Sequence, residues 1–154
     1  MAQKPIQLGA FGVWTFQLDV LPAARMQETA AELEELGYGA VWNGEATGRE
    51  ALTKAALLLA GTKRIVIATG IANIYGRDPV TMAAGQKTLA EAYPNRFLLG
   101  LGVSHVPLVE KVRGHQYDKP VPTMRAYLDA MDQAPYQAVP PPLKPPRVWR
   151  RWDR

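Results

Sequence analysis

The chain has 154 residues, 47% of them apolar and 21% charged, which bounds it at about one domain and excludes a fibrous or compositionally disordered class. It contains no cysteine, so a disulfide framework and thiolate metal sites are excluded, and a reducing compartment fits. The net charge of +4 would suggest nucleic acid if it were spread over the chain, but it sits in the last eleven residues, where Lys144, Arg147, Arg150, Arg151 and Arg154 outnumber Asp153. The remainder is neutral, so nucleic acid is not the expected partner. The opening MAQKPIQLGAFG lacks a signal-peptide pattern, and the longest apolar run, Ala55 to Ala60, is far too short for a membrane span. A cytoplasmic protein with no membrane partner is expected.

In chain order, Gln7 to Val13 reads as a glycine-interrupted apolar strand, with Trp14 to Gln17 in the loop after it. Pro22 opens a helix with Met26, Ala30, Leu33 and Leu36 on its apolar side, and Gly37 closes it as a C′ glycine. Gly39 to Asn43 is a short strand. Thr47 to Glu50 has the form of a capping box, and the following helix puts Leu52, Ala55, Ala56 and Leu59 on one face.

Ile65 to Thr69 is a continuous β-branched and small apolar run, the pattern of a parallel strand covered on both faces. The irregular segment Gly70 to Gly76 follows, and then Asp78-Pro79 caps and opens a helix to Ala92. Arg96 to Leu101 reads as a fourth strand, GVSHVPLVE as a loop, and Thr123 to Asp132 as a helix with Met124, Tyr127, Leu128 and Met131 on one face. The alternation β-α-β-α-β-α-β-loop-α implies an α/β fold with a parallel sheet. From Pro135 the prolines forbid helix and ladder bonds. Residues 1–134 are therefore expected to be the folded unit, and 135–154 an extended proline-rich linker with a basic tail.

Among motifs, Gly100-Leu101-Gly102 lacks the third glycine of a dinucleotide fingerprint, since His105 stands there. Walker A, H-E-x-x-H and G-x-S-x-G patterns are absent, and two histidines, His105 and His115, do not suggest a metal site. What remains is a set of loops at strand ends: Trp42 to Thr47, Gly70 to Gly76 and Gly102 to Pro107. In a parallel sheet these share one rim, so Glu45, Asn73 and His105 could converge there, each equally readable as a loop polar group satisfied by water or a cap. Trp14 and Trp42 are either rim packing or a ligand platform.

GYGAVWNGE, IVIATGIANIYGRDP and YPNRFLLGLGVSH followed by PLVE resemble the luciferase-like monooxygenase superfamily and, within it, the oxidoreductases dependent on the deazaflavin coenzyme F420. The resemblance implies a (β/α)8 TIM barrel that binds F420, or alternatively FMN, at its carboxyl rim, with hydride passing between the ring and a small organic substrate. Carried over by position, it implies a cis peptide at Gly70-Ile71 behind the ring. It assigns the cofactor to Gly70, Ile71, Ala72, Asn73, Trp42 and Gly102, and the catalytic roles to Glu45 and His105, His105 standing where F420-dependent sugar-phosphate dehydrogenases carry a glutamate. Those dehydrogenases have a histidine after the strand-two acid where this chain has Ala46, which argues against that substrate class.

A barrel of this kind needs about 250 residues. The resemblance therefore implies a truncated half-barrel of about four units, which would assemble with a second copy or a complementary half to cover its open edge. The alternative reading is a half-barrel without catalysis.

Overall fold

The computed structural model describes residues 6–142 and 144–147. Strands β1 (Gly12–Thr15), β2 (Ala40–Asn43) and β3 (Val66–Thr69) lie side by side and parallel, with β5 (Phe97–Leu98) against β3. Gly12 faces Ala40, Ala40 faces Val66, and Ile67 faces Phe97. Each strand neighbours the next in sequence, and the crossovers are α1 (Ala23–Glu35), α2 (Ala51–Ala60) and α3 (Pro79–Ala92), with α4 (Pro120–Gln133) after the last strand. Adding parallel strands in chain order, each returned by one helix, is how a (β/α)8 barrel accumulates. The chain forms about half of one.

Two of the four strands are interrupted near their carboxyl ends. β3 resumes as β4 (Ala72–Asn73) after Gly70-Ile71, and β5 resumes as β6 (Leu101–Gly102) after Leu99-Gly100. β4 and β6 pair with Ala72 opposite Leu101 and Asn73 opposite Gly102. At the break, Thr69 Oγ1 lies 2.8 Å from both the N–H and the C=O of Gly100, so one hydroxyl substitutes for the interrupted ladder. Gly100 is glycine because a Cβ there would meet the Thr69 carbonyl oxygen at 2.1 Å.

The continuous apolar run works because both faces of β3 are buried. Ile65 and Ile67 pack with Val41, Phe97, Leu99 and the helical Met26, Leu58 and Met82, while Val66 and Ala68 pack with Ala40 and Leu98 on the other face. At the amino ends of the strands, the buried Glu34 carboxylate accepts the N–H groups of Lys63, Arg64 and Ile65.

Several expectations shift in detail. The first strand begins at Gly12 and includes Trp14 and Thr15, because the ladder with β2 sets its bounds and not the apolar run of 7–13. Helix α2 begins at Ala51, capped by Glu50 itself, whose carboxylate accepts from Leu52 and Thr53, so Thr47 is not the cap. Its buried face is Ala51, Lys54, Ala55, Leu58 and Leu59, with the Lys54 ammonium on Asp19 at 2.6 Å and the Gly44 carbonyl at 2.8 Å. Leu36 is 74% exposed, and Glu34 is buried in its stead. The loop after β6 contains a π-helical turn, Pro107–Val112.

Gly37, in contrast, has φ +88° and closes α1 as expected, with Tyr38 N–H on the Leu33 carbonyl at 3.1 Å. Asp78 caps α3 by accepting from Thr81 N–H at 2.9 Å.

The proline-rich segment has no helix or strand among its described residues through Pro146, yet it is anchored. Gln86 donates to the Pro146 carbonyl at 3.0 Å, Arg147 pairs with Asp132, and Arg147 forms a parallel bridge to Leu99 at the β5 edge. The arginine- and tryptophan-rich end, residues 148–154, lies outside the described residues.

Candidate functional site

Three strand ends build the rim. After β2 the chain turns through Gly44 to Glu45. The carboxylate of Glu45 is buried and fully engaged: Oε2 accepts the Asn73 N–H at 2.7 Å, Oε1 accepts the Ala51 N–H at 3.3 Å, and Arg77 pairs with it. Arg77 also reaches Glu50 at 2.6 Å, so one guanidinium, with its side chain 7% exposed, holds two carboxylates. Sequence reading missed Arg77, because an arginine in a loop ordinarily reads as a solvated charge.

Between β3 and β4 the Gly70-Ile71 peptide is cis. The Gly70 carbonyl accepts the indole N–H of Trp14 at 2.6 Å, and the Gly70 N–H donates to the Asn43 carbonyl at 2.7 Å. A Cβ on Gly70 would lie 3.1 Å from the Trp14 ring and 3.4 Å from Trp42 Cβ, and a Cβ on Gly102 would lie 2.6 Å from Ile71 Cγ1. Trp14 and Trp42 therefore pack against Gly70, and Ile71 against Gly102, around the interrupted strands, with Ala72 and Gly102 buried. The Asn73 side chain accepts from Tyr75 N–H at 2.9 Å, while its Nδ2 is buried without a partner. Asn43 is its converse: its Nδ2 donates to the Ala68 carbonyl at 2.8 Å, and its Oδ1 has no partner.

His105 follows β6 by three residues. Its carbonyl accepts the N–H groups of Leu108 and Val109, both at 3.1 Å, and its side chain is exposed. Glu45 and Asn73 are thus in direct contact, and Asn73 is in register with Gly102, which puts the His105 loop on the same rim. Beside them lies a cleft of about 560 Å³, lined by Glu45 to Glu50, by Tyr75 to Arg77 and by Val112, Arg113 and His115. Among the described residues no cluster of His, Asp or Glu is arranged to hold a metal, and no helix is long and apolar enough to cross a membrane.

Known proteins share the fold. A protein of Mycobacterium tuberculosis whose name assigns it provisionally to the coenzyme F420-dependent oxidoreductases is 32% identical over 79% of this chain. Among solved structures, an F420-dependent secondary alcohol dehydrogenase bound to an F420–acetone adduct superposes with a TM-score of 0.71 and 20% identity over 81% of this chain. The F420-dependent tetrahydromethanopterin reductase of Methanopyrus kandleri gives 0.69 and 18% over 90%. The oxygenating component of a Pseudomonas putida diketocamphane monooxygenase, in complex with FMN, gives 0.68 and 16% over 81%. This chain spans 34% of the length of the mycobacterial relative and 39% to 46% of those three solved chains. The luciferase-like monooxygenase family model matches residues 7–141, and the chain belongs to that family.

Proposed function

We propose that the chain is the cofactor-facing first half of an F420-dependent oxidoreductase, with FMN as the alternative cofactor, acting on a small organic substrate. The observation that carries this reading is the unpartnered Asn73 Nδ2, buried beside the glycine-lined bulge at Gly70-Ile71. A flat ring with acceptor atoms along one edge suits that surface, because Nδ2 offers a donor beside the Trp14, Trp42 and Ile71 side chains that pack over the two glycines. Gly70, Ile71, Ala72, Asn73 and Gly102 hold the ring, and Trp42 borders it. When bound, the cofactor supplies or accepts hydride. Glu45, held by Arg77, fixes the Asn73 backbone and so orients its amide; that makes it a positioning residue. His105, with an exposed imidazole, gives or takes the proton at the substrate oxygen.

The open edge of β1 supports assembly. Phe11 and Trp14 are 73% and 59% exposed there, and a strand with no partner on its outer side among the described residues, beside exposed aromatics, invites a second copy or a complementary half-barrel. A second reading, a half-barrel that assembles but does not turn over, is favoured by the same edge.

The experiment is titration of oxidised F420, and separately FMN, monitored by the absorbance band of each, with molar mass followed by light scattering. A perturbed band with saturation supports the cofactor reading. An unperturbed band at saturating cofactor with a stable dimer supports the non-catalytic one.

A further inference from the structure

The cleft beside the ring surface has a charge pattern the cofactor reading does not use. Arg49, Arg77 and Arg113 line it together with Glu45 and Glu50. Both carboxylates are committed to Arg77, which leaves the other two guanidiniums without an acidic partner within 4 Å among the described residues. Arg49 makes one bond, from Nη2 to the Leu21 carbonyl at 2.7 Å. Arg113 makes one at the edge of hydrogen-bond range, from Nη2 to the Ala46 carbonyl at 3.4 Å. The Nε–H of each is buried with no acceptor. A guanidinium has five N–H donors, so most of the capacity of this pair is unspent in the walls of one cleft.

The remaining walls suit an anion. Tyr75 forms one side, with its ring 5.8 Å from that of His115, which also lines the cleft. Gly76 lies at the floor, where a Cβ would make ordinary contact with Arg113 Nη1 at 3.4 Å and Glu45 Oε2 at 3.5 Å.

We propose that the cleft between the β2 loop, the β4 loop and the segment 112–115 is an anion subsite that binds a phosphoryl or carboxylate group through Arg49 and Arg113, with His115 at its margin. Two guanidiniums approaching from different loops can each present a fork of N–H donors to a tetrahedral or planar oxyanion. The anion is the charged end either of the substrate or of the cofactor's side chain. That second half of the statement rests on the oxidoreductase reading, but the subsite itself does not.

The experiment therefore begins without cofactor. The full chain is titrated with inorganic phosphate and pyrophosphate by calorimetry, against sodium chloride at matched ionic strength. Saturable binding with Kd near 1 mM or tighter is expected, at least tenfold weaker in R49Q/R113Q. Should that double variant fail to fold, T47D places a carboxylate on the exposed wall of the cleft without removing a buried hydrogen bond, and it too should weaken binding at least tenfold. Chloride reproducing the phosphate heat, or T47D binding phosphate as tightly as the parent, would overturn the subsite. A cofactor arm separates the sources: F420 is compared with the same deazaflavin lacking its phosphate-bearing side chain. A preference for intact F420 that R49Q/R113Q abolishes assigns the anion to the cofactor, and an unchanged preference assigns it to the substrate. If neither deazaflavin binds while phosphate still does, the oxidoreductase reading fails and the subsite stands.

Discussion

The backbone N–H of Asn73 donates to Glu45 Oε2 across 2.7 Å, joining the loop after the second strand to the end of the third. The two residues are 28 positions apart in the chain, and the contact fixes the asparagine whose side-chain amide remains unpartnered. Arg77 completes the arrangement by pairing with Glu45 and Glu50 together.

Removing the guanidinium should hurt more than removing one carboxylate. Arg77→Met leaves Glu45 buried without its cation and should cost about 3–5 kcal/mol, the range for breaking a buried pair from one side. Glu45→Gln keeps an acceptor for Asn73 N–H and leaves Arg77 with Glu50, so its loss should be smaller. Urea midpoints of the two variants give the order, and Glu45→Gln proving the more damaging would refute this account.

Two glycine substitutions should separate crowding from conformation. Gly100→Ala drives a Cβ to 2.1 Å from the Thr69 carbonyl and should cost about 3 kcal/mol or more through backbone displacement. Gly37→Ala meets nothing within 4 Å but must hold φ +88°, which should cost roughly 1–2 kcal/mol. Equal losses in denaturant unfolding would contradict the distinction.

Acid should weaken the fold through Glu34. Burial pushes this carboxyl up, but the three backbone N–H groups of Ile65, Arg64 and Lys63, aided by the Arg64 charge, outweigh it and hold it below the usual carboxylate range. A folded-state value below the unfolded one gives stability that is complete above the unfolded value, near pH 4, and is lost as pH falls through the folded value. Glu34→Gln should therefore lower stability at pH 7 and flatten the decline below about pH 4. Unfolding midpoints from pH 7 down to pH 3 check this, and a variant with the parent's acid limb would count against it.

Trp14→Phe tests the ring surface. The substitution keeps an aromatic ring beside Phe16, whose centroid is 5.0 Å away, but deletes the N–H bond to the Gly70 carbonyl. Stability should fall by about 1 kcal/mol, the net worth of one hydrogen bond. Cofactor affinity should fall about fivefold, because the bulge loses its outer tether. Fluorescence titration of F420 against parent and variant is the measurement, and unchanged affinity would remove Trp14 from the site.

The sequence by itself determined the βα rhythm, the parallel class, the Gly37 and Asp78 caps and the rim loops, because each depends on residues close in the chain: an apolar run, a glycine, a capping side chain. It also located Glu45, Asn73 and His105 at strand ends. It did not reveal Arg77 as the partner of Glu45, Lys54 as a buried ammonium on Asp19, or Glu50 as the cap in place of Thr47. Those are decided by which loops meet, and no local pattern encodes that. An arginine or lysine is read as a surface charge until an opposing carboxylate, brought from 32 to 35 residues away by the stacking of parallel strands, makes its burial favourable. Tertiary structure also broke the fourth strand at Leu99-Gly100, where Thr69 supplies the hydrogen bonds that the ladder gives up.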